Sequence, residues 1–176
     1  HPNPFHATPE LQYLLNNGIP AQGTTQQSLA AAVFAYAANI DKADVLAPVV
    51  SRLVHKHASL GITAEHYPIV GHHLLGAIKE TLGEAATVPL LDAWAEAYSL
   101  LADALINEEK KLYANAGTIA GELSDYEVTH ISQESEHVRS FVLNPTDGKT
   151  LPSFHPGQYI SVAVNFPDGT RQLRQY

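Results

Sequence analysis

His57 closes the run Asp44-Val45-Leu46-Ala47-Pro48-Val49-Val50-Ser51-Arg52-Leu53-Val54-His55-Lys56-His57, in which Leu46, Val49, Val50, Leu53, Val54 and His57 recur at the spacing of one helical face. An imidazole on an otherwise aliphatic stripe can donate a ring-nitrogen lone pair to an iron, and an apolar site of that kind suits haem iron. Such a ligand needs its second ring nitrogen held by an acceptor, which fixes tautomer and orientation, and a carboxylate acceptor increases its electron donation. Tyr67 and Glu109, the latter in the charged run Glu108-Glu109-Lys110-Lys111, carry a phenol and a carboxylate that could form such a pair behind His57.

Each of these residues also has a plainer explanation. His57 is equally a buried histidine satisfied by backbone, Tyr67 a helix-packing aromatic and Glu109 a solvated charge; residue type and spacing do not choose. The chain has ten histidines, notably His55, His57, His72 and His73. Residues adjacent or two apart on a helix point in different directions, so neither pair gives a zinc-ligating face. No phosphate-binding glycine loop or nucleophile elbow is present, which leaves nucleotidase and hydrolase chemistry without support.

These side chains need a helical frame. Thr8 before Pro9 predicts a short helix over 9–16, closed by Gly18 and Pro20. Thr24-Thr25-Gln26-Gln27 has capping-box spacing and opens a helix to about Ile40, with Leu29, Val33, Phe34, Ala37 and Ile40 at helical intervals. The helix carrying His57 should end at Gly61, and Pro48 is tolerable only in its first turn. A fourth helix is predicted over 63–82, with Ile69, Val70, His73, Leu74 and Ile78 inward and Gly83 at its end. A fifth follows over 89–113, striped by Leu90, Leu91, Trp94, Tyr98, Leu101 and Leu105. The result is an all-α unit.

Near Gly117 the helical pattern stops, and beyond Gly121 the period becomes two. Strands are predicted over 126–129, 137–142 and 159–164, with turns at Asn144-Pro145-Thr146-Asp147-Gly148, Pro156-Gly157 and Pro167-Asp168-Gly169. This reads as the opening of an antiparallel sheet or barrel; so few strands cannot close one, and exposed edges should remain.

Lys and Arg number 10 against 18 Asp and Glu, a net charge of −8, with no basic cluster, which disfavours nucleic acid and anionic lipid as partners. An acidic enzyme or carrier fits better. Without cysteine there is no disulfide, iron–sulfur cluster or thiolate-ligated haem. With no apolar run for a membrane span and no signal pattern, the cytoplasm is the expected location. Methionine is absent even at residue 1, and Tyr176 interrupts a pattern, so the chain is expected to be a piece of a longer polypeptide.

Lys56-His57-Ala58-Ser59-Leu60-Gly61-Ile62 and Glu65-His66-Tyr67-Pro68-Ile69-Val70-Gly71-His72-His73-Leu74-Leu75 resemble the flavohaemoglobins, which join a haem globin to an FAD and NAD(P)H reductase. Leu91-Asp92-Ala93-Trp94, Ile106-Asn107-Glu108-Glu109, Pro156-Gly157-Gln158-Tyr159 and Arg174-Gln175-Tyr176 extend the resemblance. It implies a globin-like haem domain over 1–116, lacking its first helices, and over 117–176 the first strands of a ferredoxin-reductase-type FAD-binding β-barrel. By the same resemblance His57 is the proximal ligand of haem b iron, supported by Tyr67 and Glu109 as catalytic partners. Lys56 lies beside the haem edge, Leu29 is the aliphatic distal residue, and Tyr159, Arg174, Gln175 and Tyr176 contact FAD. The implied activity is nitric oxide dioxygenase: electrons pass from NAD(P)H through FAD to haem, and nitric oxide and dioxygen become nitrate.

The departures from the family pattern bear on activity. His1 falls where a distal tyrosine is expected, and His1-Pro2-Asn3-Pro4 cannot be helix interior. Leu15 stands in place of a haem-packing phenylalanine and Thr25 in place of a distal glutamine. By the resemblance the flavin part is expected to be incomplete and the nicotinamide domain to lie outside the 176 residues, so FAD retention should be weak or absent and these residues alone are not expected to receive hydride. The alternative is a haem-binding oxygen carrier or sensor without turnover.

Overall fold

The computed structural model describes residues 22–151 and 153–176. The predicted helix over 9–16, His1, Leu15 and the side chain of Thr25 lie outside the described residues. The helices are α1 (Gln22–Ala38), α2 (Ala43–Leu60), α3 (His66–Leu82) and α4 (Val88–Ala116), with a single 3-10 turn, Gly83–Ala85, before α4. The strands are β1 (Tyr126–Gln133), β2 (Arg139–Pro145), β3 (Ser161–Asn165) and β4 (Arg171–Gln175).

Gly61 ends α2 in a left-handed conformation, φ 72°, with its N–H on the Ala58 carbonyl. Ile62 N–H then caps the carbonyl of His57 at 3.0 Å. A side chain at residue 61 would strain this backbone, so glycine is what allows the helix to stop one turn after His57. The regular part of α3 begins at His66 rather than at Thr63. Thr63 is tied to the helix start instead: its backbone N–H donates to His66 Nδ1 at 2.9 Å, and its carbonyl accepts the His66 N–H at 3.1 Å.

Pro48 breaks the first-turn condition. It sits in the second turn of α2, where it cannot donate to the Asp44 carbonyl, and it is exposed, so that carbonyl is open to water. Phe34 and Ile40 are also not inward: they are 65% and 44% exposed. The α1 sequence is apolar around most of its circumference, so periodicity does not select a face there.

α4 packs against α1, α2 and α3. Val33, Val54, Tyr67, Leu74, Ile78, Tyr98, Leu101, Ala102 and Leu105 form the buried core, with Leu29, Leu53, Val70 and Trp94 half-buried against it. Each large aliphatic side chain so removed from water contributes about 1.5–3 kcal/mol.

Past α4 the strands make two antiparallel ribbons, β1 with β2 and β3 with β4. The first runs from Tyr126 opposite Pro145 to Gln133 opposite Arg139, with an irregularity between Val128 and His130. The second pairs Ser161 with Gln175 and Asn165 with Arg171. β3 starts later than its apolar pattern suggests, after the turn at Pro156-Gly157. Val128, Ile131, Phe141 and Val142 remain exposed, as expected of strands that are part of an unclosed sheet. This part meets the helical part where Gly121 lies against Gly61 and Thr63 and where Gln175 Nε2 donates to Ser59 Oγ at 3.1 Å.

Candidate functional site

Three elements converge on His57. α2 supplies the imidazole in its last turn, α3 supplies Tyr67 in its first turn, and α4 supplies Glu109 from its inward face. His57 Nδ1 lies 2.9 Å from Glu109 Oε1 and 3.0 Å from the Tyr67 hydroxyl. The Tyr67 hydroxyl donates to the same Glu109 oxygen at 2.5 Å. Tyr67 and Glu109 are 7% and 3% exposed, whereas the His57 side chain keeps 26% exposure. Glu109 is therefore no solvated member of its charged run; it is the buried acceptor for two donors.

The chemistry of this triad follows from its acceptor. A carboxylate takes the Nδ1 proton as a hydrogen bond, so the imidazole carries hydrogen on Nδ1 and leaves the Nε2 lone pair available to a ligand. The phenol cannot compete by ionising. Burial, and then the hydrogen bond and charge of Glu109, hold Tyr67 far above the ordinary tyrosine range. Burial raises Tyr98 as well, and burial with the Glu109 charge raises Tyr113. Tyr67 is accordingly a fixed donor to Glu109 at any physiological pH.

A stability consequence follows. In the unfolded chain these phenols lose their protons near pH 10, while in the folded protein they keep them, so above that pH the folded state binds more protons. Stability should be full below about pH 10 and fall as pH rises past it. Urea midpoints measured between about pH 8 and 11 should show this decline, and Tyr67→Phe should make it shallower; a midpoint indifferent to pH would contradict the buried network.

Among the described residues no three His, Cys, Asp or Glu side chains converge to hold a metal ion. One backed imidazole with a free lone pair suits a metal that brings its other ligands with it, as haem iron does, and does not suit zinc, which needs three or four protein donors. The surroundings agree with a flat apolar group: Leu53 lies one turn before His57 on the same face, and Leu29 and Val70 are half-buried beside the core. Residues and group fit.

The remaining predicted residues lie elsewhere. Lys56 is exposed next to His57, and its carbonyl accepts the Ser59 hydroxyl at 2.8 Å. Tyr159, Arg174, Gln175 and Tyr176 gather at one end of the β3–β4 ribbon, where Ile160 and Tyr176 exchange backbone hydrogen bonds of 2.9 and 3.0 Å. Arg174 is occupied locally by Gln172, and Gln175 reaches Ser59. Two residues of the site were given no site role in the sequence. The Tyr98 hydroxyl donates to the Tyr67 carbonyl at 2.7 Å, and Gly71 lies against the Tyr98 ring. The signals were a tyrosine on an inward stripe, whose hydroxyl needs a partner, and a glycine inside a helix.

Comparison with known proteins identifies what the chain is similar to. The globin family matches residues 6–105. The flavohemoprotein of Bordetella parapertussis is 52% identical over 172 residues, covering 96% of this chain and 43% of its own length. That of Chromobacterium violaceum is 50% identical over 176 residues, covering 98% and 44%. A crystal structure of the Malassezia yamatoensis flavohemoglobin, with bound FAD and heme, superposes with TM-score 0.78 at 31% identity, covering 98% of this chain and 46% of that one. The chain thus spans less than half the length of these relatives.

Proposed function

This chain belongs to the globin family and is flavohaemoglobin-like, and from that premise we propose that it binds haem b through His57 and serves nitric oxide dioxygenation, the conversion of nitric oxide and dioxygen to nitrate. The observation that carries the reading is the 2.9 Å contact of His57 Nδ1 with buried Glu109. Haem, when bound, supplies an iron that takes small gaseous ligands and exchanges electrons.

The protein's own residues do the rest. Glu109 draws on the Nδ1 proton and makes the imidazole a stronger donor at Nε2, which favours electron-rich oxygen chemistry over simple storage. Tyr67, always protonated, fixes the Glu109 oxygen. Leu29, Leu53 and Val70 offer half-buried apolar side chains against the core to a flat apolar group, and exposed Lys56 sets a positive charge next to His57. We assign the haem part to 1–116 and the flavin part to 117–176, with Tyr159, Arg174, Gln175 and Tyr176 as the opening of the FAD site. In a chain of the relatives' length, electrons would come from NAD(P)H through FAD.

The test is direct. The haem-reconstituted chain is reduced chemically, equilibrated with dioxygen and mixed with nitric oxide. Nitrate formed within the mixing experiment, in amounts matching haem, supports dioxygenation. Ligand exchange with no nitrate replaces it with the carrier or sensor reading.

A further inference from the structure

We infer that Gly71 and Tyr98 are positioning residues for His57: the missing side chain at 71 seats the Tyr98 ring on α3, and the Tyr98 phenol then pins the backbone from which Tyr67 reaches Glu109 and His57. The inference rests on the reading of His57 as haem ligand but concerns residues that do not touch the ring.

A Cβ built on Gly71 would stand 2.5 Å from Tyr98 Cε1 and 2.9 Å from Cδ1. Those atoms belong to a rigid ring that is buried, so the ring has no cheap way aside. Gly71 has no left-handed φ, and so its backbone conformation does not call for glycine; the space does. Gly76, one and a half turns on in the same helix, would meet nothing within 4 Å. Glycine inside a helix is unfavourable relative to alanine, so its presence at 71 needs a compensating contact, and Tyr98 is that contact.

The contact has a direction. The Tyr98 hydroxyl donates to the Tyr67 carbonyl at 2.7 Å, one helical turn before Gly71. Tyr67 stands in the first turn of α3, and its own hydroxyl is 2.5 Å from Glu109 Oε1 and 3.0 Å from His57 Nδ1. A shift of that turn moves the phenol away from both. The sequence of contacts is therefore Gly71, Tyr98, Tyr67, then Glu109 with His57.

Two measurements on the 176-residue chain test this. In a stability cycle, Gly71→Ala should lower the folding equilibrium constant roughly tenfold to a hundredfold in the parent, yet change it little in a Tyr98→Leu background. Gly76→Ala should lower neither. In the haem-reconstituted, reduced chain, the iron–histidine stretching band should shift and broaden with Tyr98→Phe, which keeps the ring, and with Gly71→Ala, but not with Gly76→Ala. Equal costs of Gly71→Ala in both backgrounds, or a band unmoved by Tyr98→Phe, would overturn the inference. A band that survives His57→Ala would instead overturn the ligand reading beneath it.

Discussion

His57→Ala is expected to abolish the Soret band that haem gives with the 176-residue chain. Among the described residues no second histidine shares the apolar face of α2 with a buried carboxylate behind it, so loss of Nε2 leaves haem to apolar contacts alone. Those contacts do not fix an iron, and the visible spectrum should revert to that of free or loosely adsorbed haem. Adding imidazole to His57→Ala should restore part of the band, because the side chain removed is 26% exposed and its place can be reached from solvent. A Soret band unchanged in the mutant would falsify the assignment, and the nitric oxide chemistry built on it would fall too.

The second large effect belongs to Glu109. Glu109→Leu should destabilise the protein by about 1–3 kcal/mol, since it removes the shared acceptor of the Tyr67 hydroxyl and the His57 Nδ1–H and leaves these two groups only each other, 3.0 Å apart. The tyrosine accounts for more of this than the histidine: Tyr67 is 7% exposed, whereas the His57 side chain at 26% can find water. Against a total of roughly 5–15 kcal/mol, such a loss moves the urea midpoint well outside error. Glu109→Gln keeps an acceptor oxygen and should cost far less. It should still weaken donation by the imidazole, which the iron–histidine band would register as a lower frequency. If Glu109→Leu and the parent unfold at the same urea concentration, the buried network is not what holds these three helices in register.

The helical frame was legible because its punctuation is chemical. Gly61 and Gly117 mark the ends of α2 and α4 by the left-handed conformation they adopt, and the inward stripe Tyr98, Leu101 and Leu105 is buried as its spacing requires. The site was less so. Nothing in Glu108-Glu109-Lys110-Lys111 says which glutamate turns inward; that depends on α4 running unbroken to Ala116, which puts Glu109 on the same face as Leu105 and Ala102. The resemblance to a family singled out Glu109 where local pattern could not. Tyr98 escaped because it looked like packing on an inward stripe and Gly71 because it stood unremarked inside a longer run, and their role exists only where two helices meet. β4 escaped because Arg171–Gln175 is polar, with no apolar alternation to mark a strand; its partner β3 supplies the order.

The early stop of α2 has an electrostatic consequence. Its 18 residues align their peptide dipoles with the negative end toward Gly61. His57 stands in that final turn, so it feels a standing field of the same sign as the Glu109 charge, fixed by the backbone itself and untouched by substitutions at position 109. Even Glu109→Gln would therefore leave the ring in a partly anionic setting.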